Sequence, residues 1–143
     1  GIARRTQPNF QVKGNSPLTE HYSVLGPEVT DGPDHEAIAK QNSALIDELL
    51  AFDAVVIAGQ AKSHCVAWTI ADLLDSALLR EEGLTEKVYL LEDCTSPVVV
   101  PDVVDYTDEA DAAFARFAEA GMHVVRSDTP IEEWPGVVGS VRA

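Results

Sequence analysis

The chain has 143 residues, 45% of them hydrophobic, and a formal net charge of −14 from 24 acidic against 10 basic side chains. That length suits one domain with a buried core, and that field repels phosphate, which argues against nucleic acid and anionic membranes as partners. No apolar run approaches the ~18–20 residues of a bilayer-spanning helix, and the basic start GIARRTQPNF lacks a signal peptide's apolar stretch.

In chain order, the N-terminal part is irregular. A short extended piece, NFQVKG (9–14), precedes a turn-rich tract, GPEVTDGPD (26–34). Asp34 is placed to cap a helix over EAIAKQNSALIDELLAF (36–52), whose Ile38, Leu45, Ile46, Leu49 and Leu50 make one apolar face. AVVIAG (54–59) is a continuous apolar run ended by glycine, which suits a parallel strand covered on both faces. CVAWTIADLLDSALLR (65–80) reads as a helix with Val66, Thr69, Ile70, Leu73, Leu74, Ala77 and Leu78 on one stripe, and Gly83 as its stop. KVYLLEDC (87–94) is a second buried strand, and TSPVVVPDVVD (95–105) a proline-interrupted loop. TDEADAAFARFAEAG (107–121) is a helix with a Thr107 cap and acids in its first turn, and MHVVRS (122–127) a last strand. This alternation predicts right-handed βαβ units in a three-layer α/β/α, doubly wound parallel sheet, within one domain over 1–143. The two cysteines, Cys65 and Cys94, fall at strand ends of what reads as an intracellular α/β protein, so a cytoplasmic location is expected.

Cys65 is the residue that asks for a chemical reason. It lies just past a strand's carboxyl end, where ligands bind in open α/β sheets, and it opens the next helix. A helix N-terminus presents unpaired N–H groups and partial positive charge, which favour thiolate over thiol. The same N–H groups can hold an oxyanion once sulfur attacks a carbonyl. The plainer alternative is a small inert hydrophobe filling a gap. Lys13, at the end of NFQVKG and directly before Gly14, can point its charge into the same cleft; a solvated surface lysine is the alternative.

Two stretches together resemble the nicotinamidase and isochorismatase-like cysteine hydrolase family. VKGNSPLTEHYSVL is similar to its lysine segment, with Tyr22 and Ser23 as the Tyr-Ser pair, and AGQAKSHCVAWTIADLL is similar to its nucleophile segment. LLEDCTSPV resembles the strand end that follows, so the likeness runs from about Phe10 to Arg126.

The resemblance implies the isochorismatase-like hydrolase fold, with Cys65 as nucleophile and Lys13 as the lysine of an Asp–Lys–Cys triad. It implies a cis peptide at Gln60–Ala61 and an oxyanion hole made by Ala61 and Cys65. An aspartate takes the thiol proton, the thiolate attacks a carboxamide carbon, ammonia leaves, and water resolves the thioester. His21, Tyr22 and His64 are candidates to bind the substrate, a small-molecule amide. Trp68 reads as packing, Cys94 as an inert core thiol, and Asp93 as either orienting the site or capping a turn.

The family's triad aspartate, and the Asp and His ligands with which nicotinamidases hold zinc, precede its lysine segment. GIARRTQPNFQV contains no acid, so neither the aspartate nor any metal ligand is assigned in this chain, and whether zinc serves as cofactor stays open. The family's sheet order also puts two strands between the lysine strand and the cysteine strand. AVVIAG would otherwise leave a long apolar edge. The chain is therefore expected to be the C-terminal part of a single larger domain, with an N-terminal segment of the same protein completing the sheet; a homo-oligomer is expected as well.

Three other readings stand beside amide hydrolysis. Vinyl-ether hydrolysis of the isochorismatase kind fits less well because Cys65 is present. A non-catalytic α/β subunit, with a structural thiol and an open sheet edge for a partner, is the alternative from another class. A nucleotide-binding module lacks support, since GQAKSH has no G-x-G-x-x-G spacing.

Overall fold

A computed structural model describes residues 8–137; the basic stretch at positions 1–7 lies outside the described residues, as do positions 138–143. Helix α1 spans Ser43–Leu50, strand β1 Val55–Gln60, helix α2 Cys65–Leu78 and strand β2 Val88–Ser96. A two-stranded hairpin, β3 (Val99–Val100) and β4 (Val104–Asp105), leads into α3 (Thr107–Glu119) and then β5 (His123–Val125). The main sheet is parallel with order β1-β2-β5. The α/β class with a parallel sheet is thus the one the apolar patterning predicts.

Alternation along β2 divides the core in two. Val88 and Leu90 face the larger cluster, where Ile46 and Leu50 of α1, Ile70 and Leu73 of α2, and Phe114 and Phe117 of α3 are buried with them. Tyr89 points to the opposite face and joins Val125 and Trp134, which follows a 3-10 turn at Ile131–Glu133. Burying each large aliphatic side chain contributes roughly 1.5–3 kcal/mol, so the larger cluster is the main adhesive of the fold. Among the described residues, no helix is long and apolar enough to cross a membrane.

Several local expectations are corrected. Helix α1 begins at Ser43, not near Glu36, because Asn42 is the N-cap and its side chain accepts from Leu45 N. The stretch before it is held in a turn instead: Gly32 N donates to Glu36 O, Ile38 N donates to Thr30 O, and His35 has φ 62°. Asp34 therefore caps nothing; its own N–H donates to the Glu36 carboxylate. Residues 9–14 join no sheet, and Phe10 and Val12 are 86% and 84% exposed. The tract 95–105 is not a plain loop, since β3 and β4 pair antiparallel within it. Tyr106, not Thr107, is the N-cap of α3, and Asp105 Oδ1 accepts the Thr107 N–H at 2.9 Å.

Strand β2 also runs two residues beyond Cys94, and its register with β1 jumps. Ile57 pairs with Leu90, yet Gly59 pairs with Thr95, so Leu91 to Cys94 face the single residue Ala58. This bulge breaks the alternation that would bury Cys94. The thiol is exposed and is not a core residue.

Candidate active site

Strand β1 ends at Gln60, just past Gly59 with φ 122°, and a cis Gln60–Ala61 peptide follows where the resemblance places one. The turn Ala61–His64 then feeds Cys65 into the first position of α2. Side chains strap this turn to the end of β2. Thr95 Oγ1 donates to Gly59 O at 2.5 Å, the Gln60 amide donates to Ser96 Oγ, and Lys62 N donates to Ser96 O at 2.8 Å. Ser63 Oγ, buried, accepts from Val98 N at 3.0 Å. The bulge in β2 is thus what brings Thr95, Ser96 and Val98 level with the turn, as bulges beside functional sites commonly re-aim a strand.

The Ala61 carbonyl accepts both His64 N and Val66 N, each at 3.0 Å. The Ala61 and Cys65 N–H groups, in contrast, meet no main-chain acceptor among the described residues. Two free amides therefore flank the thiol at the positive end of a 14-residue helix.

Lys13 arrives from the opposite side. Gly14 has φ 75°, and the His21 ring lies so close that an added Cβ would sit 2.6 Å from it. That bend turns Lys13 toward α2. Its ammonium donates to Cys65 Sγ at 3.1 Å and to Tyr22 O at 3.3 Å. The loop carrying Tyr22 is fixed in turn: Val24 N donates to Thr69 Oγ1 at 3.2 Å, and buried Ser23 accepts from Leu25 N at 3.0 Å. Thr69 sits one turn beyond Cys65, so α2 itself holds the lysine loop in place. Among the described residues, no carboxylate bonds to the Cys65 sulfur or the Lys13 ammonium.

A cleft of about 270 Å³ opens between these groups, lined by Lys13, Tyr22, Ile57, Gln60, Cys65 and Thr69 among others. Tyr22 thus borders the thiol. His64, its neighbour in sequence, turns its ring toward Trp68 and Tyr106 and bonds through Nδ1 with Ser63 Oγ at 2.8 Å. His21 is placed elsewhere. It packs on Gly14, meets Thr19 O through Nδ1 at 3.2 Å, and lines a separate cleft of about 580 Å³ with Leu25, Ile38 and Asn42.

Asp93 belongs to neither cleft. Ser127 donates to it twice, from N at 2.9 Å and from Oγ at 2.6 Å, and these bonds hold its carboxyl below the usual carboxylate range. It ties the bulge of β2 to the chain just past β5.

Sequence reasoning missed Lys62. Only 5% exposed, it bonds Asp111 Oδ1 of α3 at 2.5 Å, lies 3.9 Å from Glu92 Oε1, and sits 4.6 Å from the Phe114 ring centroid. A lysine in a polar turn gives no hint of burial; only the arrival of α3 creates it.

Among the described residues, no three His, Cys, Asp or Glu side chains converge to hold a metal ion. The described residues do not fit a zinc site.

No family model matches the sequence, and no curated protein does. Two solved structures are similar in fold. A nicotinamidase–pyrazinamidase from Acinetobacter baumanii is 17% identical with a TM-score of 0.46, over 76% of this chain and 42% of that one. The yeast nicotinamidase Pnc1p is 21% identical with a TM-score of 0.44, over 75% of this chain and 40% of that one. The chain spans about two fifths of the length of each.

Proposed function

We propose that this chain carries the nucleophile and lysine of a cysteine amidohydrolase that cleaves the C–N bond of a small amide. The observation that carries this reading is the 3.1 Å contact between the Lys13 ammonium and the Cys65 sulfur at the leading end of α2. An ammonium and a helix N-terminus both favour anionic sulfur. A merely space-filling thiol needs neither.

In this reading the Cys65 thiolate attacks the carboxamide carbon. The tetrahedral oxyanion is held by the Ala61 and Cys65 amides, which among the described residues have no main-chain acceptor to give up. Collapse of the intermediate breaks the C–N bond, a protonated carboxylic acid delivers its proton to the departing nitrogen as ammonia leaves, and Cys65 is left as a thioester. Water then hydrolyses the thioester and restores the thiol. The reading assigns the proton-carrying carboxylate to a segment of the same protein outside this chain. In support, β1 pairs only with β2 among the described residues, so a further strand can dock on its free edge.

The test is an acid quench of the full-length protein during turnover of a panel of small amides, followed by peptide mass analysis. An acyl adduct on Cys65, and loss of ammonia release in Cys65→Ser, is the expected result. Undiminished ammonia release by Cys65→Ser would overturn the mechanism. Equally slow alkylation of Cys65 and exposed Cys94 would favour a non-catalytic subunit instead.

A further inference from the structure

We propose that Lys62 is a positioning residue for the oxyanion donors: its buried ammonium clamps the turn between β1 and α2 to α3 and so fixes the Ala61 and Cys65 amides beside the thiol. The inference rests on the cysteine hydrolase reading for what those amides hold, and on the turn alone for the clamp. Lys62 directly follows Ala61 and precedes Cys65 by three residues. The peptide that joins Ala61 to Lys62 is held at both ends. Its carbonyl accepts His64 N and Val66 N at 3.0 Å each, and its N–H donates to Ser96 O at 2.8 Å. These bonds tie it to α2 and β2, and the Lys62 side chain adds α3. Its Nζ bonds Asp111 Oδ1 at 2.5 Å and lies 3.9 Å from Glu92 Oε1 of β2 and 4.6 Å from the Phe114 ring centroid. Asp111 and Phe114 stand three positions apart on α3, so one face of that helix offers the ammonium both a carboxylate and a ring. Buried polar side chains among the described residues are Ser23, Lys62, Ser63 and Thr85, and two of the four are neighbours in this turn.

A buried ammonium needs a reason. Taking it out of water costs more than an ion pair usually returns, and an apolar side chain of similar size is often as stable or better. The Lys62 side chain is 6% exposed, whereas those of Asp111 and Glu92 are 60% and 46% exposed. The lysine thus gives up water for two carboxylates that keep much of theirs. Stability does not ask for that arrangement; orientation does. An apolar chain lying over Phe114 could shift along the ring, but an ammonium bound to a carboxylate has a fixed place, and with it the main chain between the two donors. Donors fixed before the reaction are worth most where charge develops in the transition state. The competing account is that the Lys62 charge acts directly on the sulfur. A charge effect alters every reaction of the thiolate, whereas a positioning effect alters only reactions that build an oxyanion.

The experiment compares two reagents on full-length protein. With p-nitrophenyl acetate, Cys65 Sγ attacks the ester carbonyl, whose oxygen becomes the oxyanion, and collapse expels p-nitrophenolate and leaves an acetyl thioester. That leaving group needs no proton, so no carboxylic acid enters the step. With iodoacetamide, the sulfur displaces iodide from a saturated carbon and no oxyanion forms. Peptide mass analysis follows Cys65 and exposed Cys94 in both reactions. Lys62→Met is expected to slow acylation of Cys65 about tenfold, less than the roughly 10²–10³ that loss of a whole donor costs, and to change alkylation less than twofold. Asp111→Asn, which leaves the turn's own sequence intact, is expected to give the same selective loss at about threefold, and it decides alone where Lys62→Met does not fold. Equal slowing of both reactions assigns the effect to charge and overturns the inference. A parent protein whose acylation-to-alkylation ratio is no higher at Cys65 than at Cys94 overturns the hydrolase reading, and the inference with it. A higher ratio at Cys65 that both variants retain overturns the inference alone.

Discussion

Replacing Lys13 by methionine keeps the length of the side chain and removes its charge. The pair it breaks is exposed on the lysine side, so the Coulomb energy belongs at the water end of the dielectric range. At 3.1 Å that is about 1.3 kcal/mol of attraction between the ammonium and an anionic sulfur. The expectation is that Cys65 of Lys13→Met attacks an uncharged pyridyl disulfide severalfold more slowly than the parent does. Exposed Cys94 provides the internal control, since peptide mass analysis follows both thiols in one sample. Lys13→Arg keeps the charge and should stay near the parent rate. Raising salt toward 1 M shortens the screening length from about 10 Å to 3 Å and should narrow the gap between parent and Met variant. An unchanged Cys65-to-Cys94 rate ratio in Lys13→Met would show that the ammonium does not act on the sulfur, and the reading built on that contact would fall.

Gly14→Ala forces a residue with a Cβ into φ 75° against the His21 ring; a stability loss of about 1–2 kcal/mol in urea and a partial loss of the Cys65 rate advantage are expected. Asp111→Asn should cost more stability than Lys62→Met, because the first leaves a buried ammonium with only a distant Glu92, whereas the second replaces it with an apolar chain over Phe114. Urea melts that rank the two variants in the opposite order would refute this account of the turn. Asp93→Asn tests the tie to Ser127 through pH. The folded-state pKa is depressed, so the carboxylate's contribution is present above its unfolded value and is lost as pH falls through that value toward the folded one. The stability gap between parent and variant should hold near neutrality and close on acidification, as urea midpoints at a series of pH values will show.

Cys65 could be placed from sequence because its position depends on local rules: an apolar run, a glycine, a short polar turn and a helical stripe read in a single direction along the chain. The same rules misplace Cys94. Period-two alternation buries it only if β2 is regular, and the four-against-one bulge opposite Ala58 is set by pairing with β1, whose partners lie 33 to 36 positions earlier. Helix α1 is overextended for a related reason. Ile38 fits the helical period, but Thr30 O captures its N–H in a turn before the helix can form, and Asn42 offers the better cap. The site shows the same division more sharply. A thiol at a helix start is a one-dimensional feature, while Lys62 against Asp111, Trp68 against Glu28 and Val24 against Thr69 join residues 40 to 49 positions apart. Each of those residues taken alone resembles an ordinary surface lysine, a packing aromatic or a helical threonine. What makes them a site is the single helix α2, which begins with the thiol and within its first two turns presents both the hydroxyl that holds the lysine loop and the indole that meets the acid. A change to α2 that shifts its first turn should therefore disturb the Lys13–Cys65 contact and the aromatic cluster together, whereas a change to either loop should disturb only its own half.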